Sequence, residues 1–379
     1  MKLSIIALSV LPIAISAANI KQVLAKINSK LPKRALKATK SSGKPNQIVC
    51  GGDWEVDSQI KIDQLNTCAS FDGNISITKS SLENVNLTKI QSITGSLMVA
   101  GNAGLKTISF DSLNTVGEDI YISSNFLLQT VSFSELTSAG NVTLEQNFEL
   151  GSANLAKLKS SNDLSITDSS LKAIELRELN SLGGKLKLSK NLGLLSVKLR
   201  SLVNIDGDLE ININNQYNNL TVQMNSLTTI GGGTIFRGLS SLKLKSLSSI
   251  KSSLFIRDNT FTSLNLPALQ SVNEGIHISR NLQLNSLNLS KLSTVSSGSI
   301  QVINNVSLNN IGQNFFKSLT SVTGDVEFYG PISAFSFPAS SKVSGNLKIT
   351  GKQTLNCDRL TKTFKNVAGG NIICANVFV

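Results

Sequence analysis

The sequence predicts an all-β fold, a parallel β-solenoid of about 13 rungs with a disulfide cap at each end. Three observations predict it. A turn glycine followed by strict apolar/polar alternation recurs about every 22 residues between Gly73 and Ile349, and such alternation marks a half-buried strand. A second apolar phrase follows each first one, and a repeat period of roughly 20–50 residues is the signature of a solenoid. Two cysteine pairs, Cys50 with Cys68 and Cys357 with Cys374, bracket the repeats.

Taken in order, residues 1–18 read as a secretory signal peptide. Met1-Lys2 supplies the positive start, Leu3 to Ile15 the apolar run, and Ala17 and Ala18 the small residues for cleavage. Residues 19–47 are basic and lack strand alternation. Lys33-Arg34 within them has two readings, a propeptide trimmed after Arg34 and a disordered basic tail that contains a dibasic pair. Residues 48–379 form the solenoid, with caps at 48–72 and 350–379. The stretch from Val367 to Val379 is short, is broken by Asn371 and Asn376, and contains Cys374. It is expected to be neither a lipid-anchor signal nor a membrane span.

The repeats are clear in Gly95-Ser-Leu97-Met-Val99, Gly184-Lys-Leu186-Lys-Leu188, Gly207-Asp-Leu209-Glu-Ile211 and Gly345-Asn-Leu347-Lys-Ile349. The full unit reads G-x-L-x-I-x-x-N-x-x-L-x-x-L-x-L-x-x-L-x-x-V. It resembles a leucine-rich repeat, with two short strands expected and no helical spacing. One unit can bury its apolar edge only against its neighbours, so stability is shared along the stack. Rungs about 4.8 Å apart give a rod on the order of 60 Å long. The polar position seven residues into the unit is Asn102, Asn125, Asn147, Asn191, Asn214, Asn259, Asn281 and Asn305. Asparagine tolerates turn conformations and its amide satisfies backbone groups, so a ladder along one corner is expected.

Composition narrows the function. Only 5% of residues are aromatic and 16% are charged. The net charge is +12, but nine cations precede Asp53, which leaves +3 for the rest of the chain. The basicity belongs to the N-terminal segment. No basic stripe interleaved with aromatics suggests a nucleic-acid partner.

Four cysteines in a secreted chain, paired at opposite ends of a stack, suggest two cap disulfides, Cys50–Cys68 and Cys357–Cys374, out of three pairings that four cysteines allow. No metal or other cofactor is expected, since no C-x-x-C occurs and His277 is the only histidine. Glycosylation sequons stand at Asn74, Asn86, Asn141, Asn219, Asn288 and Asn305. Asn305 doubles as a ladder position and is expected to carry no glycan.

The outward position of the first strand reads Ser76, Met98, Tyr121, Thr143, Ser165, Lys187, Glu210, Phe255, His277, Gln301, Glu327 and Lys348. The copy near residue 232 is irregular and is left out. No two carboxylates stack on adjacent rungs, and a lone histidine gives little for a Ser-His pair, so an enzyme is disfavoured. Met98, Tyr121, Phe255 and His277 form a candidate binding face on an exposed sheet, although polar rungs separate them.

The phrases Ile93-Thr-Gly95-Ser-Leu97-Met-Val99, Val203-Asn-Ile205-Asp-Gly207-Asp-Leu209-Glu-Ile211 and Leu266-Pro-Ala-Leu269-Gln-Ser-Val272, with the cysteine frame, carry a resemblance over about Cys50 to Cys374. The chain resembles the fungal cell-wall organisation and sporulation-specific, GPI-linked wall glycoproteins, whose repeats are similar to receptor L-domains. The resemblance implies a right-handed solenoid with triangular rungs and a secreted, non-enzymatic glycoprotein of the cell surface, wall or spore wall. It implies wall polysaccharide or surface proteins as partners. Members usually carry a Ser/Thr-rich stalk and a GPI tail; this chain ends just after its last cysteine, which makes a soluble secreted form the expectation. The alternatives are a soluble binding module for polysaccharide or a partner protein, and a polysaccharide-active β-helix enzyme.

Overall fold

The computed structural model describes residues 50–213, 219–312 and 314–378. The chain divides into two compact units, Met1–Gln47 and Ile48–Val379. The first unit, with Ala17, Ala18, Lys33 and Arg34, lies outside the described residues, as does the ladder residue Asn214.

The second unit winds through about 14 turns. Its wide sheet has 15 parallel strands, running in order from Trp54–Glu55 to Ile372–Phe378. Each glycine-led repeat supplies one strand, from Ile75–Thr78 through Leu347–Lys352; the strands at the two ends come from the caps. The second apolar phrase forms shorter parallel sheets, such as the four-stranded one spanning Asn84–Asn86 to Ser152–Asn154. The unit therefore holds the two strands expected, and a third besides. Pairs such as Ser181–Leu182, Asn204–Ile205 and Thr229–Ile230 build a nine-stranded sheet. Two residues are too few for alternation to show.

Inward residues stack in register. Leu186 lies against Leu209 and Leu188 against Ile211, and all four are buried. Full burial of a Leu or Ile side chain contributes roughly 1.5–3 kcal/mol, repeated on every turn. Phe110 and Phe133 stack within the core at 5.4 Å. The turn glycine is required by close approach between rungs. A Cβ on Gly298 would sit 1.1 Å from the Glu274 carbonyl oxygen, and one on Gly207 2.7 Å from the Gly184 carbonyl carbon.

Eight of the wide-sheet strands turn sharply at their far end through a left-handed residue. Lys79, Ser124, Gln146, Asp168, Lys190, Asp258, Arg280 and Asn304 all have φ between 51° and 57°, the left-handed region that L-residues occupy at a cost of roughly 1–2 kcal/mol. The turn aims the next residue inward, and that residue is the ladder position. Asn102, Asn125, Asn147, Asn191, Asn259, Asn281 and Asn305 are all buried there. Each passes one amide hydrogen to a carbonyl of an earlier rung and offers its Oδ1 to the rung before it. Asn125 Nδ2 donates to the Val99 carbonyl at 3.0 Å, while Asn125 Oδ1 accepts from the backbone and side-chain nitrogens of Asn102 at 3.0 Å. Buried backbone groups must be paired, and the ladder pairs them at a corner where no sheet does.

Both ends carry a short helix that the repeat pattern does not announce. Helix α1 (Gln59–Leu65) packs Ile62 and Leu65 inward at the first end. Helix α2 (Cys357–Phe364) does the same with Leu360 and Phe364, and Asn356 caps it by accepting from the Arg359 amide at 2.9 Å. Disulfides tie each cap: Cys50 joins Cys68 (Cα–Cα 5.7 Å), and Cys357 at the start of α2 joins Cys374 in the last strand (Cα–Cα 5.4 Å). Both ends of a stack would otherwise expose apolar cross-section.

Candidate binding face

The outward side of the wide sheet presents two columns of side chains. Register makes the first column Glu55, Ser76, Met98, Tyr121, Thr143, Ser165, Lys187, Glu210, Ile235, Phe255, His277, Gln301, Glu327, Lys348 and Ile373. The candidate residues are neither scattered nor fully exposed. Met98 and Tyr121 are neighbours on adjacent rungs, as are Phe255 and His277, and all four are half-buried. Ile235 fills the copy left out of the sequence reading and extends the second pair to three contiguous rungs. Its strand, Thr234–Arg237, was hidden by the run Gly231-Gly-Gly233 and by the polar Thr234 at an inward position.

The two pairs differ chemically. The Tyr121 hydroxyl donates to the Glu145 carboxylate. Burial first, and then that carboxylate, push its proton affinity above the usual phenol range. Phe255 and His277 stack with centroids 4.6 Å apart and planes at 6°. Their faces are turned toward each other along the stack and their edges outward, so neither ring offers a flat platform to a sugar. His277 is held further. Gln301 Nε2 donates to Glu327 at 3.1 Å, which leaves Gln301 Oε1 to accept from His277 Nδ1 at 2.8 Å. His277 is thus fixed by a ring and an amide.

The second outward column carries Asn212, Arg237, Arg257 and Ser279 beside this aromatic pair. Asp258, at the left-handed corner, forms an ion pair with Arg237 Nε at 2.9 Å and accepts from Arg280 through two bonds at 2.8 and 3.1 Å. Hydrogen bonding to Arg280 first, with the charges of Arg237 and Arg257, holds its carboxyl below the ordinary range. Elsewhere on the face Lys187 meets Glu210 at 3.2 Å and Lys348 meets Asp325 at 2.7 Å.

Paired catalytic carboxylates are missing from the described first column, where Glu55, Glu210 and Glu327 lie several rungs apart. Among the described residues no group of three or more His, Cys, Asp or Glu is placed to hold a metal ion, and no helix is long and apolar enough to cross a membrane.

The sequons lie off the outward columns. Asn86 and Asn288 end second-sheet strands, and Asn219 is exposed just before another. Asn74 and Asn141 sit at the corner that leads into the wide sheet, in a second polar ladder: Asn141 Nδ2 donates to Asp119 at 2.8 Å, and Asn141 Oδ1 accepts from the Asp163 amide at 3.0 Å. The signal for this ladder was the polar residue after each turn glycine. Asn305 is buried, and its Nδ2 donates to the carbonyls of Ile278 and Ile303.

No family model and no solved structure matches the chain. Among curated proteins it is 27% identical over 327 residues to a cell surface GPI-anchored protein of Arthroderma benhamiae, covering 86% of this chain and 82% of that one. It is 27% identical over 308 residues to protein ecm33 of Aspergillus fumigatus, covering 81% and 75%. It is 30% identical over 186 residues to sporulation-specific protein 2 of Saccharomyces cerevisiae, covering 47% of this chain and 36% of that protein. By these matches the chain is similar to fungal cell-surface, cell-wall and sporulation-specific proteins, the proteins that its glycine-led repeats and cysteine frame resemble.

Proposed function

We propose that this is a secreted, non-enzymatic glycoprotein of the fungal cell surface or wall, which helps organise that layer through the outward face of its wide sheet. One observation carries the reading: 15 parallel strands of one sheet present a long outward face, with catalytic carboxylates nowhere paired in its described first column. Relatives named for the cell surface and cell wall supply the location. Residues 1–18 act as the leader, residues 19–47 precede the solenoid, and Lys33-Arg34 is the processing site within them. Glycans sit on Asn74, Asn86, Asn141, Asn219 and Asn288. Asn305 stays bare, because a glycan on its Nδ2 would break the ladder. Wall polysaccharide or surface proteins are the partners.

Fractionation tests the reading. The protein should remain with cell walls after detergent extraction. Recovery only in the culture medium would identify a free binding module instead. Turnover of a wall-glycan panel that one carboxylate substitution abolishes would overturn the non-enzymatic part.

A further inference from the structure

We infer that Arg257, with Arg237 and the outward edges of Phe255 and His277, forms a binding site for an oxyanion of phosphate type carried on a surface saccharide. The starting point is a charge imbalance. Arg237, Arg257 and Arg280 surround one carboxylate, Asp258, and that carboxylate is engaged by Arg237 and Arg280. Arg257 pairs in register with another arginine on one side and with Ser279 on the other. Its Nε is buried and has no hydrogen-bond partner. Among the described residues, four buried side-chain polar atoms are left in that state, on Asn212, Asn225, Thr234 and Arg257, and of these only the last belongs to a charged group. Two like charges on adjacent strands repel, and a buried donor left without a hydrogen-bond partner is costly. Lys187 and Lys348, in the first column, each have a carboxylate within ion-pair distance.

The surroundings suit an anion. Aromatic rings carry negative faces and positive edges, and here the faces of Phe255 and His277 are consumed by their mutual stacking. What points outward is the positive rim. Guanidinium groups are planar forks that match phosphate and carboxylate oxygens. Asp258 and Arg280 stand at consecutive left-handed corners, each followed by a ladder asparagine, so the basic edge is set by buried structure. The carrier follows from glycan placement. Asn74 and Asn141 lie at the corner leading into the sheet, on either side of Met98 and Tyr121 in rung order. No sequon lies on the strands that hold Ile235, Phe255 and His277. The saccharide carrier rests on the wall-contact reading above; the oxyanion contact does not.

The test uses the secreted full-length protein and calorimetric titration with inorganic phosphate, glucose 6-phosphate and glucose. Phosphate and glucose 6-phosphate should bind saturably and glucose should not. Arg257→Gln should weaken binding at least tenfold, whereas Lys187→Gln should leave it unchanged. Arg257→Lys keeps the charge and loses the fork, so it should also weaken binding, and it serves if the glutamine variant is not secreted. Absence of saturable binding, parent-level binding by both Arg257 variants, or an equal loss in Lys187→Gln would overturn the site. Binding only to phosphatidic acid vesicles, and not to glucose 6-phosphate, would overturn the saccharide carrier. Lost wall retention with phosphate binding intact would sink the wall reading alone.

Discussion

Asn281 lies in the middle of the C-terminal run of the corner ladder, and its removal should be felt on three rungs. Its Nδ2 donates to the Ile256 carbonyl and to Asn305 Oδ1, both at 3.0 Å. Its Oδ1 accepts from the Asn259 amide at 3.1 Å and from Asn259 Nδ2 at 2.9 Å. In Asn281→Ala, the Ile256 carbonyl, the Asn259 amide and one hydrogen of Asn259 Nδ2 lose their partners away from water. A buried polar group left unpaired costs about 1–3 kcal/mol, so the three together should cost about 4 kcal/mol. Asn285→Ala, at an exposed position a few residues on, should cost less than about 0.5 kcal/mol. Urea unfolding followed by circular dichroism gives the comparison, and hydrogen exchange at the Asn259 amide localises it. A loss below about 1 kcal/mol for Asn281→Ala, or a loss matching Asn285→Ala, would show that the ladder does not hold the corner.

Three further outcomes follow from the same structure. Leu209 is fully buried, so Leu209→Asp places an unpaired charge among stacked leucines; secretion should fail, and normal secretion measured by immunoblot of the medium would contradict the inward assignment. Cys357→Ser opens a bridge spanning 17 residues, a constraint of about 3 kcal/mol in the chain-entropy view; the melting temperature should fall, and an unchanged melt would count against the cap. Asp258 has a folded pKa below its unfolded value near 3.8. Its ionised form therefore stabilises the fold above that unfolded value, and the contribution fades as pH falls through the folded one. Asp258→Asn should lose less stability than the parent on acidification below about pH 4, and superimposable acid profiles would refute the Arg280–Asp258 contact.

Much of this architecture can be read from the sequence, for identifiable reasons. Gly207-Asp-Leu209-Glu-Ile211 shows its strand because the sheet buries one side only, and burial imposes a period of two. The asparagine column is visible because a left-handed corner needs the same chemistry on every rung. The third strand is not visible, since Asn204–Ile205 and its equivalents are two residues long. The cap helices are hidden for a different cause: α1 and α2 each occur once, and a repeat cannot announce what does not recur. On the face, the position of His277 could be read while its surroundings could not. Its contacts, Phe255 and Gln301, lie about 22 residues away in each direction, and they became visible only with the register. Ile235 shows the opposite failure. An irregular repeat start removed it from the column, although it lies beside Phe255 in register.

A glycan placed on the wide face tests contact through that face most directly. His277→Asn completes a sequon with Ile278 and Ser279, on the stretch free of native sequons, and His277→Gln removes the imidazole without adding one. Detergent-resistant wall retention is the measurement. The glycosylated His277→Asn protein should be secreted and should leave the wall fraction for the medium to a greater extent than unglycosylated His277→Gln, which loses only the imidazole edge. Retention of the glycosylated protein at the parent level would show that the wall is held by some other surface.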